Sequence, residues 1–457
     1  MSRFGTLADA PATFVLRGIR VLDPTDGTDA VADLAVVDGR LAEPTHLPAD
    51  APVLDGRGLV AGPGLCDLHT HLREPGGEDA ETIASGSRAA AHGGFTTVCA
   101  MPNTDPPLDE PARVAWVQHG ARAAASRVRV IAAATRGRGG EMPTEVSRLA
   151  ELGIVGVSDD GAAVGSARLA RALIVELATH HLPLVEHAED AGLAAGSVMR
   201  AGPYATRLGL AGWPPSAELT IVERDIALAR ETGGWVHVTH LSTAASLEAV
   251  RRAKAAGVHV TCDVTPHHLA LTDAWVAGSR AFAWDDQPDP FARLDEDLAY
   301  DGACRVNPPL PARDDALALL AGVEDGAVDA IATDHAPHPA ERTAVEFAEA
   351  TPGMIGLETA LSLGLAAVAA GRLSLPRLLA ALSTRPAALI GEERGLRSGA
   401  VADLVVFDPE ATWRVEAAAL ASASVNTPLL GRELPGVVRL SLADGRITYA
   451  DGFPAIG

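Results

Sequence analysis

Lysine is almost missing from this chain of 457 residues. It occurs once, at Lys254, and every other Lys/Arg cation is an arginine. That excludes any mechanism needing a lysine at another position. Cysteine is also sparse. Cys66, Cys99, Cys262 and Cys304 lie far apart and form no Cys-x-x-Cys pair, so neither a disulfide framework nor a cysteine zinc knuckle is expected, and small core residues are the default reading. Excess positive charge is absent: the formal net charge is −22, which argues against nucleic acid or an anionic membrane as a partner. No apolar run is long enough to span a bilayer. Residues 1–11 lack the basic head and apolar core of a signal peptide, so a cytoplasmic enzyme is the expectation.

What is present is an ordinary globular balance, 47% hydrophobic and 21% charged, in a chain long enough for one large domain and a smaller one. Both ends read as short strands, with turn signals at Asp38-Gly39 and Asp444-Gly445. Neither end supplies enough strands for a stable sheet. The economical solution is one small β-sandwich domain built from residues 1–60 and 391–457, with residues 61–390 inserted between them. That middle part alternates eight short apolar runs with helical stretches: 65–71, 95–101, 128–134, 154–158, 184–187, 236–240, 258–264 and 330–333. Buried strands separated by helices predict a parallel sheet, and eight units predict an α/β fold of the (β/α)8 TIM-barrel type. A doubly wound open sheet is the alternative, but no Gly-x-Gly-x-x-Gly follows the first strand. The seventh unit is irregular, because residues 271–311 are rich in Asp, Pro and Arg.

A barrel of this type places its site at the C-terminal ends of the strands. Those ends carry His69 and His71 (first strand), Asp159-Asp160 (fourth), His187 (fifth), His240 (sixth) and Asp334 (eighth). Four histidines and two carboxylates meeting at one rim suit two divalent ions, zinc by donor type. Two ions need a bridging anion. The lone Lys254 sits on a helix after the sixth strand and cannot be a carboxylated bridge, so Asp160 is taken as the bridge, with Asp159 as the fallback, since adjacent strand residues face opposite ways. Asp334 is the candidate general acid/base. Arg73 is placed to hold an anionic substrate. His338, Asn103, Asn307 and the backbone near Pro352 and Gly353 are further candidate substrate contacts, and His267 and His268 are read as packing or orienting residues.

At this point the chain resembles a known family. His69-Thr70-His71-Leu72-Arg73-Glu74-Pro75-Gly76, Met101-Pro102-Asn103-Thr104, Ser158-Asp159-Asp160-Gly161, Thr239-His240-Leu241-Ser242-Thr243, Val306-Asn307-Pro308-Pro309-Leu310 and Thr333-Asp334-His335-Ala336-Pro337-His338 are similar to the motifs of the amidohydrolase superfamily, and within it of the bacterial class I dihydroorotases. The resemblance implies reversible, zinc-dependent closure of N-carbamoyl-L-aspartate to L-dihydroorotate in pyrimidine synthesis. By similarity, His69, His71 and Asp334 hold one of two zinc ions per subunit, His187 and His240 the other, and Asp160 bridges them. His71, Arg73, Asn103, Asn307, His338, Pro352 and Gly353 would contact the substrate. A homodimer is the expected assembly, and association with aspartate transcarbamoylase is left open. One departure stands out: Arg305 lies where the family usually carries a lysine. Allantoinases and hydantoinases are near rivals, but they generally rely on a bridging lysine. A non-catalytic scaffold would be expected to have lost metal ligands, and none is missing.

Overall fold

The computed structural model describes residues 12–289 and 296–452. Eight parallel strands, β1 (Leu65–Thr70), β2 (Phe95–Ala100), β3 (Arg127–Ala133), β4 (Gly156–Ser158), β5 (Leu184–Glu186), β6 (Val236–Val238), β7 (Val260–Val264) and β8 (Ala330–Ile331), pair in sequence order. The ring closes where Thr70 bridges His335 and the His71 N–H donates to the His335 carbonyl at 2.9 Å. A fully buried carboxylate reinforces that seam. Asp67 accepts from the Thr333 N–H (2.7 Å), the Thr333 hydroxyl (2.6 Å) and the Thr70 hydroxyl (2.6 Å). The fold is therefore the (β/α)8 barrel expected from the alternation of apolar runs and helices.

Helices cover the barrel because their apolar residues recur at helical spacing. Ala167–Ala178 turns Ala170, Leu173, Ile174 and Leu177 inward, and Ser166 caps it by accepting from the Leu169 N–H. The seventh unit departs from this rule. A five-residue helix, Pro266–Ala270, is followed by short turns before Arg313–Asp325 supplies the covering helix. The strands are also shorter than the apolar runs suggested. β5, β6 and β8 stop one to three residues before His187, His240 and Asp334, and those residues leave the ladder to turn into the mouth.

The terminal segments form one mixed eight-stranded sheet, in which Val60–Pro63 pairs with both Phe14–Asp23 and Leu404–Arg414 and so joins the two ends of the chain. We accordingly propose that the barrel domain begins just after that strand. The two expected turns are present, with φ +47° and +73° at Asp38 and Gly39 and φ +51° and +74° at Asp444 and Gly445, the left-handed pair a tight hairpin needs. The N-terminal strand is continuous rather than two pieces, with an irregularity between Leu16 and Ile19 at Gly18. Strand alternation decides what this sheet touches. Leu404 and Val406 face the small core with Phe14 and Leu440, whereas Val405 and Phe407 join the barrel core.

Polar contacts tie the sheet to the barrel floor. Glu392 accepts from Arg129 (2.7 Å) and Arg394 (2.8 Å), and Asp403 pairs with Arg127 (3.0 Å) and Arg394 (2.8 Å). Burial alone would raise the Glu392 carboxyl, but Arg394, Arg127 and Arg129 outweigh it and hold it below its usual range. A carboxyl depressed in the folded state stabilises the fold above its unfolded value and loses that contribution as pH falls through the folded value. Glu392→Gln is therefore expected to lower stability to urea at neutral pH and to flatten its decline in acid, as measured by urea midpoints between neutral pH and pH 4. All four cysteines are buried and free, and burial pushes the Cys66 and Cys262 thiols up to about 12, as fits core residues.

Candidate metal centre

The six expected donors meet. Asp160 sits at the centre, with one carboxylate oxygen 3.4 Å from His69 Nε2 and 3.7 Å from both His187 Nδ1 and His240 Nε2, and the other 3.6 Å from His71 Nε2. Asp334 Oδ1 lies 3.0 Å from His71 Nε2 and 3.4 Å from His69 Nε2. Among the described residues, two groups have donor atoms all within 4.8 Å of one another: His69, His71 and Asp334, and His69, Asp160 and His240. His69 belongs to both. His187 belongs to neither, but its Nδ1 lies 3.0 Å from His240 Nε2. Every one of these residues is buried.

Neighbouring groups fix the histidine tautomers. Asn103 donates from Nδ2 to Asp160 (3.2 Å), so its Oδ1 faces His71 Nδ1 at 2.8 Å and accepts that proton. The Thr239 hydroxyl donates to Asp263 (3.1 Å) and accepts from His69 Nδ1 (2.8 Å). In the neutral form of either ring Nε2 is then the lone pair, turned toward the carboxylates. His69 Nε2 and Asp160 Oδ1 are buried and have no hydrogen-bond partner. Buried polar atoms are almost always paired, and two orphans facing each other among nitrogen and oxygen donors fit a divalent cation.

The electrostatics agree. Burial would push the His69 imidazole down, but the Asp160 and Asp334 charges carry it up to about 10. The same attraction holds both carboxyls well below their usual range against the effect of burial. The centre thus attracts positive charge strongly, whether a proton or a metal supplies it. Arg73 (φ +59°), His240 (φ +41°) and Asp334 (φ +46°) all hold left-handed backbone, a strain of the kind that collects at functional sites.

The remaining candidates surround this cluster. Arg73 donates from Nε to the Pro337 carbonyl (3.1 Å), and its Nη2 stands 3.3 Å from His338 Nε2. His338 Nε2 donates to the Pro352 carbonyl (3.0 Å), and burial together with Arg73 pushes the imidazole down to about 3, so it is neutral. Gly353 closes over it with φ +138°. A Cβ there would stand 2.7 Å from Ala336 Cβ and 2.9 Å from His338 Nε2, so no larger residue fits. Asn307 Nδ2 reaches His187 Nε2 at 3.4 Å. Asn103 is engaged with His71 and Asp160 rather than standing clear of the donors.

Asp159 points away, its carboxylate accepting from the Thr135 N–H (2.9 Å) and hydroxyl (2.5 Å). His268 spends both ring nitrogens on Thr265 and the Pro308 carbonyl, at 2.9 Å each, while His267 is buried with Nε2 unpartnered. Lys254 is bound to the Ala327 carbonyl (2.6 Å) and to Asp329, below β7 and β8.

Sequence reasoning missed the layer beneath the donors. Asp263 accepts from the His240 N–H at 2.6 Å and from His237 Nε2 at 2.8 Å, besides Thr239. Burial would raise this carboxyl, but His237 outweighs it and keeps it ionised. Arg138 was missed as well; its guanidinium binds the Asp159 and Asp160 carbonyls. Asp263→Asn is expected to weaken metal binding about 10- to 100-fold, which chelator competition would measure.

The family model described as dihydro-orotase-like matches residues 56–246. The dihydroorotase of Anaeromyxobacter dehalogenans (strain 2CP-C) is 45% identical over 96% of this chain and 98% of its own length. That of Geobacter metallireducens is 41% identical over 95% of this chain and 99% of its own. Among solved structures, L-hydantoinase (dihydropyrimidinase) from Arthrobacter aurescens superposes with a TM-score of 0.81, at 24% identity and covering 96% of each chain, a likeness of fold.

Proposed function

Because the chain belongs to the dihydroorotase family, we propose that the six convergent donors hold two zinc ions and serve the reversible cyclisation of N-carbamoyl-L-aspartate to L-dihydroorotate and water, in pyrimidine biosynthesis. It is a metal-dependent cyclic amidohydrolase. The observation that supports a metal here best is the pair of buried, unpartnered atoms, His69 Nε2 and Asp160 Oδ1, facing one another, and the two overlapping donor groups around them favour two ions over one. His69, His71 and Asp334 would hold one ion, His187 and His240 the other, with Asp160 between them. Ions held there would supply an acidified water and would polarise the amide carbonyl.

The chain's own residues do the rest. In the hydrolytic direction Asp334 takes the proton of the attacking water and gives it to the ring nitrogen as the C–N bond breaks; synthesis runs the same transfer backwards. Its carboxylate is ionised and 3.0 Å from His71 Nε2, within reach of the same space. Arg73 provides the fixed positive charge for the substrate α-carboxylate, with Asn103 and neutral His338 beside it. His71, Asn307 and the Pro352-Gly353 backbone complete the substrate contacts. Asn103 orients His71 as well, so its loss should affect both binding and turnover.

Hydantoin opening is the alternative that the fold likeness raises. A bridging lysine is not available for it, since Lys254 is held by Ala327 and Asp329. Hydantoins also lack the carboxylate that Arg73 would meet. Assays of L-dihydroorotate beside hydantoin and allantoin decide it: turnover of L-dihydroorotate alone is expected, and preferential opening of hydantoin would overturn the reading. The enzyme is further proposed to act in the cytoplasm as a homodimer, with docking on aspartate transcarbamoylase as a separate question for co-sedimentation. Among the described residues, no helix is long and apolar enough to cross a membrane.

A further inference from the structure

Asn426 belongs to the C-terminal part of the chain but works at the barrel mouth. It is buried, and its amide is fully used. Nδ2 donates to the Ala336 and Gly353 carbonyls at 3.0 Å each, and Oδ1 accepts from the His338 N–H at 3.1 Å. Its own carbonyl accepts from the Ile355 N–H at 3.1 Å. One side chain therefore joins the loop carrying His338 to the turn carrying Pro352 and Gly353. The segment that bears it is moored independently, with the Ser422 hydroxyl donating to Glu81 (2.6 Å) and the Ser424 hydroxyl to the Ala80 carbonyl (2.7 Å).

None of the Asn426 bonds goes to a metal donor. Asp334 is held by other means: Thr333 is fixed by Asp67, and His335 is fixed by the Gly356 N–H (3.2 Å) and faces Glu81 (3.4 Å). Loosening Asn426 should then move His338 and Gly353 without moving the metal centre.

We propose that Asn426 is a positioning residue for substrate binding, setting the separation of the His338 and Gly353 backbones and with it the cleft that receives the substrate carboxylate. This rests on the reaction assigned above. Its chemistry suits the task, because an amide offers two donors and an acceptor in one plane, a set that no hydroxyl or aliphatic side chain reproduces.

The test is steady-state kinetics of the zinc-loaded full-length chain with L-dihydroorotate, together with thermal midpoint and metal content, for the parent, Asn426→Ala, Asn426→Ser and Ser424→Ala. Asn426→Ala is expected to raise KM about tenfold, as the loss of buried hydrogen bonds implies, with kcat within about threefold of the parent and metal content unchanged. Asn426→Ser, whose hydroxyl can keep one bond, should fall between and carries the test if the alanine variant does not fold. Ser424→Ala, which loosens the segment but keeps the Asn426 amide, should lower the thermal midpoint and raise KM much less than Asn426→Ala. An unmoved KM in Asn426→Ser, an equal rise in Ser424→Ala, or loss of metal from the Asn426 variants would overturn the inference. A zinc-loaded parent that does not turn over L-dihydroorotate would instead overturn the assigned reaction.

Discussion

Asp160→Ala is expected to lower kcat for L-dihydroorotate by at least about 1000-fold, because a metal's contribution of several kcal/mol to the reaction converts to a loss of that size. Its metal content should fall as well. Asp160 is the acidic group that lies within 3.7 Å of all four histidine donors. Without it, the four imidazoles and Asp334 would have to hold two cations with no anion between them, and His187 and His240 would be left with no carboxylate partner in the centre. Asp159→Ala is the control. That carboxylate secures the Thr135 backbone and hydroxyl instead, so its loss should cost stability and leave the metal in place. Metal analysis and kinetics on the two variants separate the roles, and equal metal loss in both would show the assignment to be wrong.

Asp334→Asn should separate proton transfer from metal binding. The amide keeps an oxygen where the carboxylate oxygen stands 3.0 Å from His71 Nε2, but it cannot accept a proton. General acid/base catalysis contributes typically about 100- to 10,000-fold, so kcat should fall by that much while KM changes little. The pH dependence gives a second readout. The Asp334 carboxyl is held below its usual range because, against burial, His69 and His71 lie beside it. As a base it is active above that value, and hydrolytic kcat/KM declines as pH falls through it. In the asparagine variant the contribution of Asp334 to that decline should be lost, leaving only the decline that comes from protons displacing metal at the histidines. A variant with full metal and near-parent kcat would remove Asp334 from the chemistry.

The barrel was readable because fully buried parallel strands must be apolar along their whole length, and helices between them must repeat apolar residues at helical spacing. The donors were readable for a related reason: a polar residue ending an apolar run has few other uses. Strand ends were not readable to the residue. His240 and Asp334 leave the ladder with positive φ, a strain the mouth imposes and no local pattern announces. The seventh unit resisted because its helix is delayed to Arg313–Asp325 by a long excursion. The orienting roles of Thr239 and Asp263 escaped notice because their relay to His69 and His240 crosses neighbouring strands and has no sequence spacing of its own. Asn426 escaped for the same reason at greater range, since it meets His338 from 88 residues away.

The claim on which the rest depends is that imidazoles and carboxylates from five strand ends share a pair of cations. Titrating metal-free chain with zinc, while following bound metal and L-dihydroorotate turnover together, tests it most directly. The account predicts that activity is absent without metal and reaches its plateau at two ions per chain. Full activity with no metal, or a plateau at a single ion, would contradict it.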